Sequence, residues 1–113
     1  MSVIGELRAL GDGDGSEVIA ELTDAFVSEA PRLIEAIRAG IACSDTGDIR
    51  MAAHALKSSS AAMGALRLSA VSAEIEALAR NGTLVGLDAL VIRAADELQA
   101  AQMALTGLSA RAA

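Results

Sequence analysis

Among the side chains able to do chemistry, His54 comes first: it is the single histidine, set in Ala52-Ala53-His54-Ala55-Leu56-Lys57-Ser58-Ser59-Ser60. Neutral imidazole is a nucleophile near pH 7 and can carry a group covalently. On a helix, residues three and four apart are neighbours, with about 5–6 Å between their Cβ atoms. Lys57 and Ser58 therefore lie beside His54. Ile49, Ala53, Leu56, Ser60 and Met63 fall on a different stripe, the one expected to be buried. The imidazole is thus expected to face solvent, with a cation beside it and little bulk around it.

Other chemistries fit these residues poorly. A metal site needs several ligands at suitable spacing, and one His with a distant Cys43 does not supply them. Ser58, Ser59 and Ser60 have no adjacent general base in an oriented triad, so they read as small spacers or as hydrogen-bond partners within the helix. The acid–glycine alternation Gly11-Asp12-Gly13-Asp14-Gly15 invites a calcium-loop reading. Started at Asp12, however, that loop has Glu17 where the glycine belongs and Thr23 where the glutamate belongs. Neither Gly-x-x-x-x-Gly-Lys nor Gly-x-Gly-x-x-Gly occurs, so no means of binding ATP is evident.

The stretch from His54 to Ala65 resembles the signature of the histidine-containing phosphotransfer (HPt) domains of multistep phosphorelays, approximately His-x-Leu-Lys-Gly-Ser/Ala-(small)-x-x-x-Gly-Ala. His54, Leu56, Lys57, Ser59, Gly64 and Ala65 stand in register. The likeness extends upstream to Phe26–Pro31 and downstream to Ile75–Arg80, and so covers nearly the whole chain. One departure is Ser58, which stands where the family usually has glycine. The resemblance implies a carrier without its own ATP site. It would accept a phosphoryl group on His54 from a receiver-domain aspartate and pass it to another receiver, with Mg²⁺ supplied by the receiver and no cofactor in this chain. The implied partners are response-regulator receiver domains and a hybrid histidine kinase, with the protein a monomer.

The elements that must position His54 follow from periodicity. Residues 2–10 form a short amphipathic pattern with Val3, Ile4 and Leu7 on one side, and Gly11–Gly15 breaks it. Ser16 is a plausible N-cap for a helix whose apolar residues recur at Ile19, Leu22, Phe26, Ala30, Leu33, Ile37 and Ile41. Pro31 falls inside this stripe and removes one intrahelical hydrogen bond, which predicts a kink near Glu29–Ala30. The His54 helix is expected from about Gly47 to Met63, with Gly64 making the turn. A third helix spans about Leu66 to Arg80 on Leu68, Val71, Ile75 and Leu78, and Asn81-Gly82 stops it. The last runs roughly from Leu87 to Leu108. The predicted fold is all-α: an antiparallel up-and-down four-helix bundle over 16–108, with a short extra N-terminal helix and Gly/Asp loop in 1–15, the whole a single domain of 113 residues.

Bundle geometry then supplies neighbours for the imidazole. His54 lies ten residues before Gly64, about 15 Å down its helix, and the returning helix reaches that level near Ile75 and Glu76. Arg80 is about 6 Å further along. With Ile75 in the core stripe, Glu76 and Arg80 are expected on exposed faces flanking it. Glu76 can accept a hydrogen bond from one ring nitrogen and leave the other as nucleophile. Lys57, and Arg80 with it, can offset the roughly two negative charges of a phosphoryl group. A partner-docking patch is expected from Arg50, Met51, Ser58, Ala61 and Gly64 around His54.

Composition narrows the function classes. Twenty-six alanines and a single aromatic residue, Phe26, favour helix over strand. A net charge of −6 repels nucleic acid. No apolar run reaches the ~18 residues of a membrane span. A single cysteine and an N-terminus unlike a secretory signal fit the cytoplasm, and Met1 with the polar, Ala-rich tail suggests a free-standing protein. Two other readings compete. A histidine kinase dimerisation segment typically has an acidic residue after its histidine and a proline a few positions on, whereas here Ala55 follows and the only proline is Pro31. The other is a structural helical adaptor with His54 incidental.

Overall fold

The computed structural model describes residues 16–112. The expected short N-terminal helix and the Gly/Asp loop lie outside the described residues. Four helices follow one another: α1 (Ser16–Cys43), α2 (Thr46–Ala62), α3 (Leu66–Arg80) and α4 (Leu87–Ala112). Each packs on the next, and α4 returns against α1, closing a four-helix bundle. Observed bounds agree with the expected ones to within a residue for α2, match them for α3, and carry α4 four residues past Leu108.

Short connections force the antiparallel course. Between α1 and α2, Asp45 N–H donates to the Gly40 carbonyl at 2.8 Å, and the Asp45 carboxylate then caps α2 by accepting from Asp48 N–H at 3.0 Å. Between α2 and α3, Gly64 takes φ +76°, a conformation open to glycine at no steric cost, and Ala65 N–H donates back to Ser60 O at 2.8 Å.

The core consists of the facing stripes. Phe26, Ala30, Ile34 and Ile37 of α1 meet Ile49, Ala53 and Leu56 of α2, Leu68, Val71, Ile75 and Ala79 of α3, and Leu87, Val91, Ala94 and Leu98 of α4. Two details differ from the expected stripes. After Ala30 the burial falls on Ile34 rather than Leu33, and after Ile75 on Ala79 rather than Leu78; Leu33, Leu78 and Met63 are half-buried at the edge. At both steps three and four residues lead to an apolar side chain, and a helix of 3.6 residues per turn allows either. Small buried groups line the α2/α3 seam, among them Ala53, Ser60, Ser72 and Ala79, while buried Ala52 faces the groove toward α1. Ser60 and Ser72 bond back to the carbonyls of Leu56 (2.6 Å) and Leu68 (2.8 Å), so burying their hydroxyls leaves no orphan donor.

At Gly40, α1 packs tightly against Ile49 of α2. A Cβ there would stand 2.6 Å from Ile49 Cγ1, 3.3 Å from the Asp45 carbonyl oxygen and 3.4 Å from Ile49 N. Alanine is worth up to about 1 kcal/mol over glycine inside a helix. Overpacking against a fully buried Ile49 and fixed backbone costs about 1–3 kcal/mol and outweighs it. Gly40→Ala is therefore expected to lower the urea midpoint of unfolding. A raised midpoint would show that the two helices part freely.

Candidate functional site

α2 presents His54 midway along its length, on the face turned away from Ile49, Ala53 and Leu56. The imidazole is exposed, with a side-chain accessibility of 60%. Opposite it, level with His54 on antiparallel α3, stands Glu76. Its carboxylate takes three partners. Oε2 lies 2.8 Å from His54 Nδ1 and accepts from Arg80 Nη2 at 3.2 Å, while Oε1 accepts from Lys57 Nζ at 2.6 Å. His54, Lys57, Glu76 and Arg80 thus form one connected group across the α2/α3 seam.

Glu76 corrects an expectation. A charged residue beside a core isoleucine was assigned to an exposed face, yet Glu76 is only 5% exposed. Its backbone position faces α2, and burial is tolerable because Lys57, Arg80 and the imidazole satisfy both oxygens. The Lys57 hydrogen bond is the main influence holding the Glu76 carboxyl below its ordinary value; burial opposes it, and the His54 hydrogen bond and both neighbours' charges reinforce it. Glu76 is therefore ionised at neutral pH.

An ionised carboxylate only accepts hydrogen bonds. The ring nitrogen facing it must carry the proton, so neutral His54 is held as the Nδ1–H tautomer with the Nε2 lone pair free. Ionised Glu76 also dictates an acid limb. A group whose folded value is depressed contributes stability that is present above its unfolded value, about 4.3 for Glu, and lost as pH falls through the folded one. Unfolding free energy is expected to decline below that point more steeply in the native protein than in Glu76→Gln. Parallel urea midpoints against pH for the two proteins would refute this.

Charge at the site runs against the chain as a whole. Two cations on one carboxylate leave a local positive surplus beneath the imidazole, in a protein of net charge −6. Lys57 is the only lysine in the sequence. Its backbone is fixed as well, because Ser69 of α3 donates from Oγ to the Lys57 carbonyl at 3.0 Å. Nothing in the sequence marks Ser69 for this task, since it is one small residue among many on α3.

The remaining expected residues sit as follows. Arg50, Met51, Ser58 and Ala61 are exposed on α2, along the strip that bears His54. Gly64 is exposed at the turn, about 15 Å along the helix from His54 and apart from the cluster. Among the described residues, no group of three or more His, Cys, Asp or Glu side chains could hold a metal ion. No helix among them is long and apolar enough to cross a membrane.

The described residues thus form an antiparallel helical bundle that presents an exposed imidazole, its neutral tautomer set by Glu76, with two cations at its base. Residues 21–104 match the family model of the Hpt domain, and the chain belongs to that family, whose members serve as phosphocarriers in phosphorelays. A similar solved structure is histidine-containing phosphotransfer protein B (HptB) from Pseudomonas aeruginosa PAO1. The two share a TM-score of 0.82 and 25% identity, over 96% of this chain and 91% of that one. A search of the curated proteins finds no match.

Proposed function

We propose that His54 Nε2 is the atom that carries the phosphoryl group. The observation that carries this reading is the 2.8 Å contact between Nδ1 and a buried, ionised Glu76, which sets the neutral ring as the Nδ1–H tautomer and turns the Nε2 lone pair away from Glu76 on an exposed side chain. In the forward step the Nε2 lone pair forms an N–P bond as the P–O bond to a receiver aspartate breaks, and the aspartate leaves as carboxylate. No proton has to be removed from Nε2. The phosphorylated ring keeps its Nδ1 proton and so becomes cationic, and Glu76 lies against that charge. In the return step neutral imidazole is the leaving group: a second receiver's aspartate carboxylate forms the new P–O bond as the N–P bond breaks, the electron pair returns to Nε2, and the Nδ1 proton stays against Glu76.

Phosphoryl transfer rests chiefly on positioning and on stabilising charge, usually with Mg²⁺. Here Lys57 and Arg80 supply cations from the chain, and the receiver supplies the metal and the aspartate. The chain acts as a carrier with no ATP site of its own, as a monomer in the cytoplasm, its phosphoryl group originating from a hybrid histidine kinase. Docking uses the exposed strip Arg50, Met51, Ser58 and Ala61. A groove of about 490 Å³ between α1 and α2, lined in part by Leu33, Gly40, Cys43 and Met51, borders that strip. Ser58 and Ala61, the small side chains of the strip, let an aspartate pocket approach the ring.

Incubation with a phosphorylated receiver, followed by an intact-mass measurement, tests the reading. The protein should gain one acid-labile phosphoryl group that peptide mapping places on His54. An adapter or a structural bundle would gain none.

A further inference from the structure

The three consecutive serines after Lys57 do not behave alike. Ser59 Oγ donates to the Ala55 carbonyl at 2.8 Å and Ser60 Oγ to the Leu56 carbonyl at 2.6 Å, each turning its hydroxyl back into its own helix. Ser72 on α3 does the same toward Leu68, and Ser69 reaches across to the Lys57 carbonyl. Ser58 makes no side-chain hydrogen bond among the described residues, and it is exposed. Its hydroxyl is the one in this run left free to bond outward.

Its position is specific. Ser58 follows His54 by four residues, so the two Cβ atoms are neighbours at about 5–6 Å. Helical side chains lean toward the N-terminus, which tilts Ser58 over the turn that carries the imidazole. Lys57 and Glu76 occupy one flank of the ring, and Ser58 lies on the other. A phosphoryl group on Nε2 would project from the ring edge away from Glu76, with Lys57 approaching from a single side.

Resting on the carrier reading, we infer that the Ser58 hydroxyl donates a hydrogen bond to the phosphoryl group held on His54, lengthening the lifetime of the phosphorylated state. Glycine, the usual residue at this place in related signatures, admits a partner but offers no donor. Serine stays small and adds one. Transfer of a phosphoryl group passes through a loose, metaphosphate-like transition state. In it, negative charge drains from the phosphoryl oxygens toward the departing nitrogen, so a donor on those oxygens holds the ground state more tightly than the transition state. Spontaneous loss to water slows accordingly.

Phosphoramidate, a small phosphodonor that releases ammonia, allows a test on the full chain without any receiver. Native protein, Ser58→Ala, Ser58→Gly and Ser58→Thr would be phosphorylated, freed of donor, and followed by phosphorus NMR and intact mass. Ala and Gly should both shorten the phosphohistidine half-life, by about threefold or more for one lost hydrogen bond. Thr should restore it, and the phosphorus resonance should shift with presence of the hydroxyl. Half-lives that follow helix propensity (Ala long, Gly short), or that equal the native value in Ala, would overturn the inference while leaving the carrier reading intact. Absence of label on His54 in the native protein would overturn both.

Discussion

Replacing His54 by glutamine should reduce phosphoryl acceptance from a phosphorylated receiver to background while the bundle stays folded. His54 is the single imidazole of the sequence, and it is exposed, with the tautomer of its neutral form set by Glu76. Ser58 lies nearby but lacks an oriented base to activate it. The imidazole contributes little to folding: its main contact is a hydrogen bond at the surface edge of Glu76, and exposed polar substitutions usually shift stability by under about 0.5 kcal/mol. Glutamine can still offer an amide donor toward the carboxylate. The expected result is a native helical circular dichroism spectrum and a nearly unchanged urea midpoint, with no label in the mass spectrum. Retained label would place the acceptor elsewhere, and collapse of the helical signal would make His54 a folding residue.

Removing the carboxylate should come next in size. In Glu76→Leu the Nδ1 proton loses its acceptor, the ring samples both tautomers, and Lys57 and Arg80 lose their shared partner. Removing a carboxylate that orients a metal-bound histidine typically costs about 10–100-fold, and His54 depends on Glu76 for the same control of tautomer and ring orientation. A loss of that order in transfer rate is expected. Glu76→Gln should fall between, because its amide oxygen still accepts from Nδ1 but brings no charge to offset the phosphorylated imidazolium. Nitrogen NMR of the ring gives an independent readout: native His54 should report Nδ1–H, and Glu76→Leu a mixture. Unaltered rates together with an unaltered tautomer would remove Glu76 from the mechanism. Unlike a stability defect, this loss should persist at temperatures where both proteins are fully helical.

Much of the architecture was legible in the residue order because local signals agreed. Apolar steps of three and four, Gly64 at one turn and Asn81-Gly82 at another placed α2, α3 and the start of α4 to within a residue or so. The site was legible in part. His54 and Lys57 share a helix, and periodicity alone sets them side by side. The level of Glu76 followed from counting back from Gly64. Its burial did not, because a charged residue is assigned outward unless its partners are known, and two of its three partners sit nineteen and twenty-two positions away on another helix. Choices between adjacent apolar residues, Leu33 against Ile34 or Leu78 against Ala79, depend on how neighbouring helices lean and were equally hidden. So was the different fate of three identical serines, since each could bond inward or outward and only the surroundings decide.

The seam of small residues between α2 and α3 makes the site a matter of calibration. A 2.8 Å contact joins groups rooted on two helices, and such bonds weaken once stretched by a few tenths of an ångström. Buried Ser72, one turn from Glu76, helps set how far apart those helices lie. A bulkier residue there can be absorbed by letting the helices part slightly, at modest expense to the bundle. Mutational drift at this seam would then surface as signalling errors in a well-folded, abundant protein. Screens that score solubility or abundance would pass such variants as harmless.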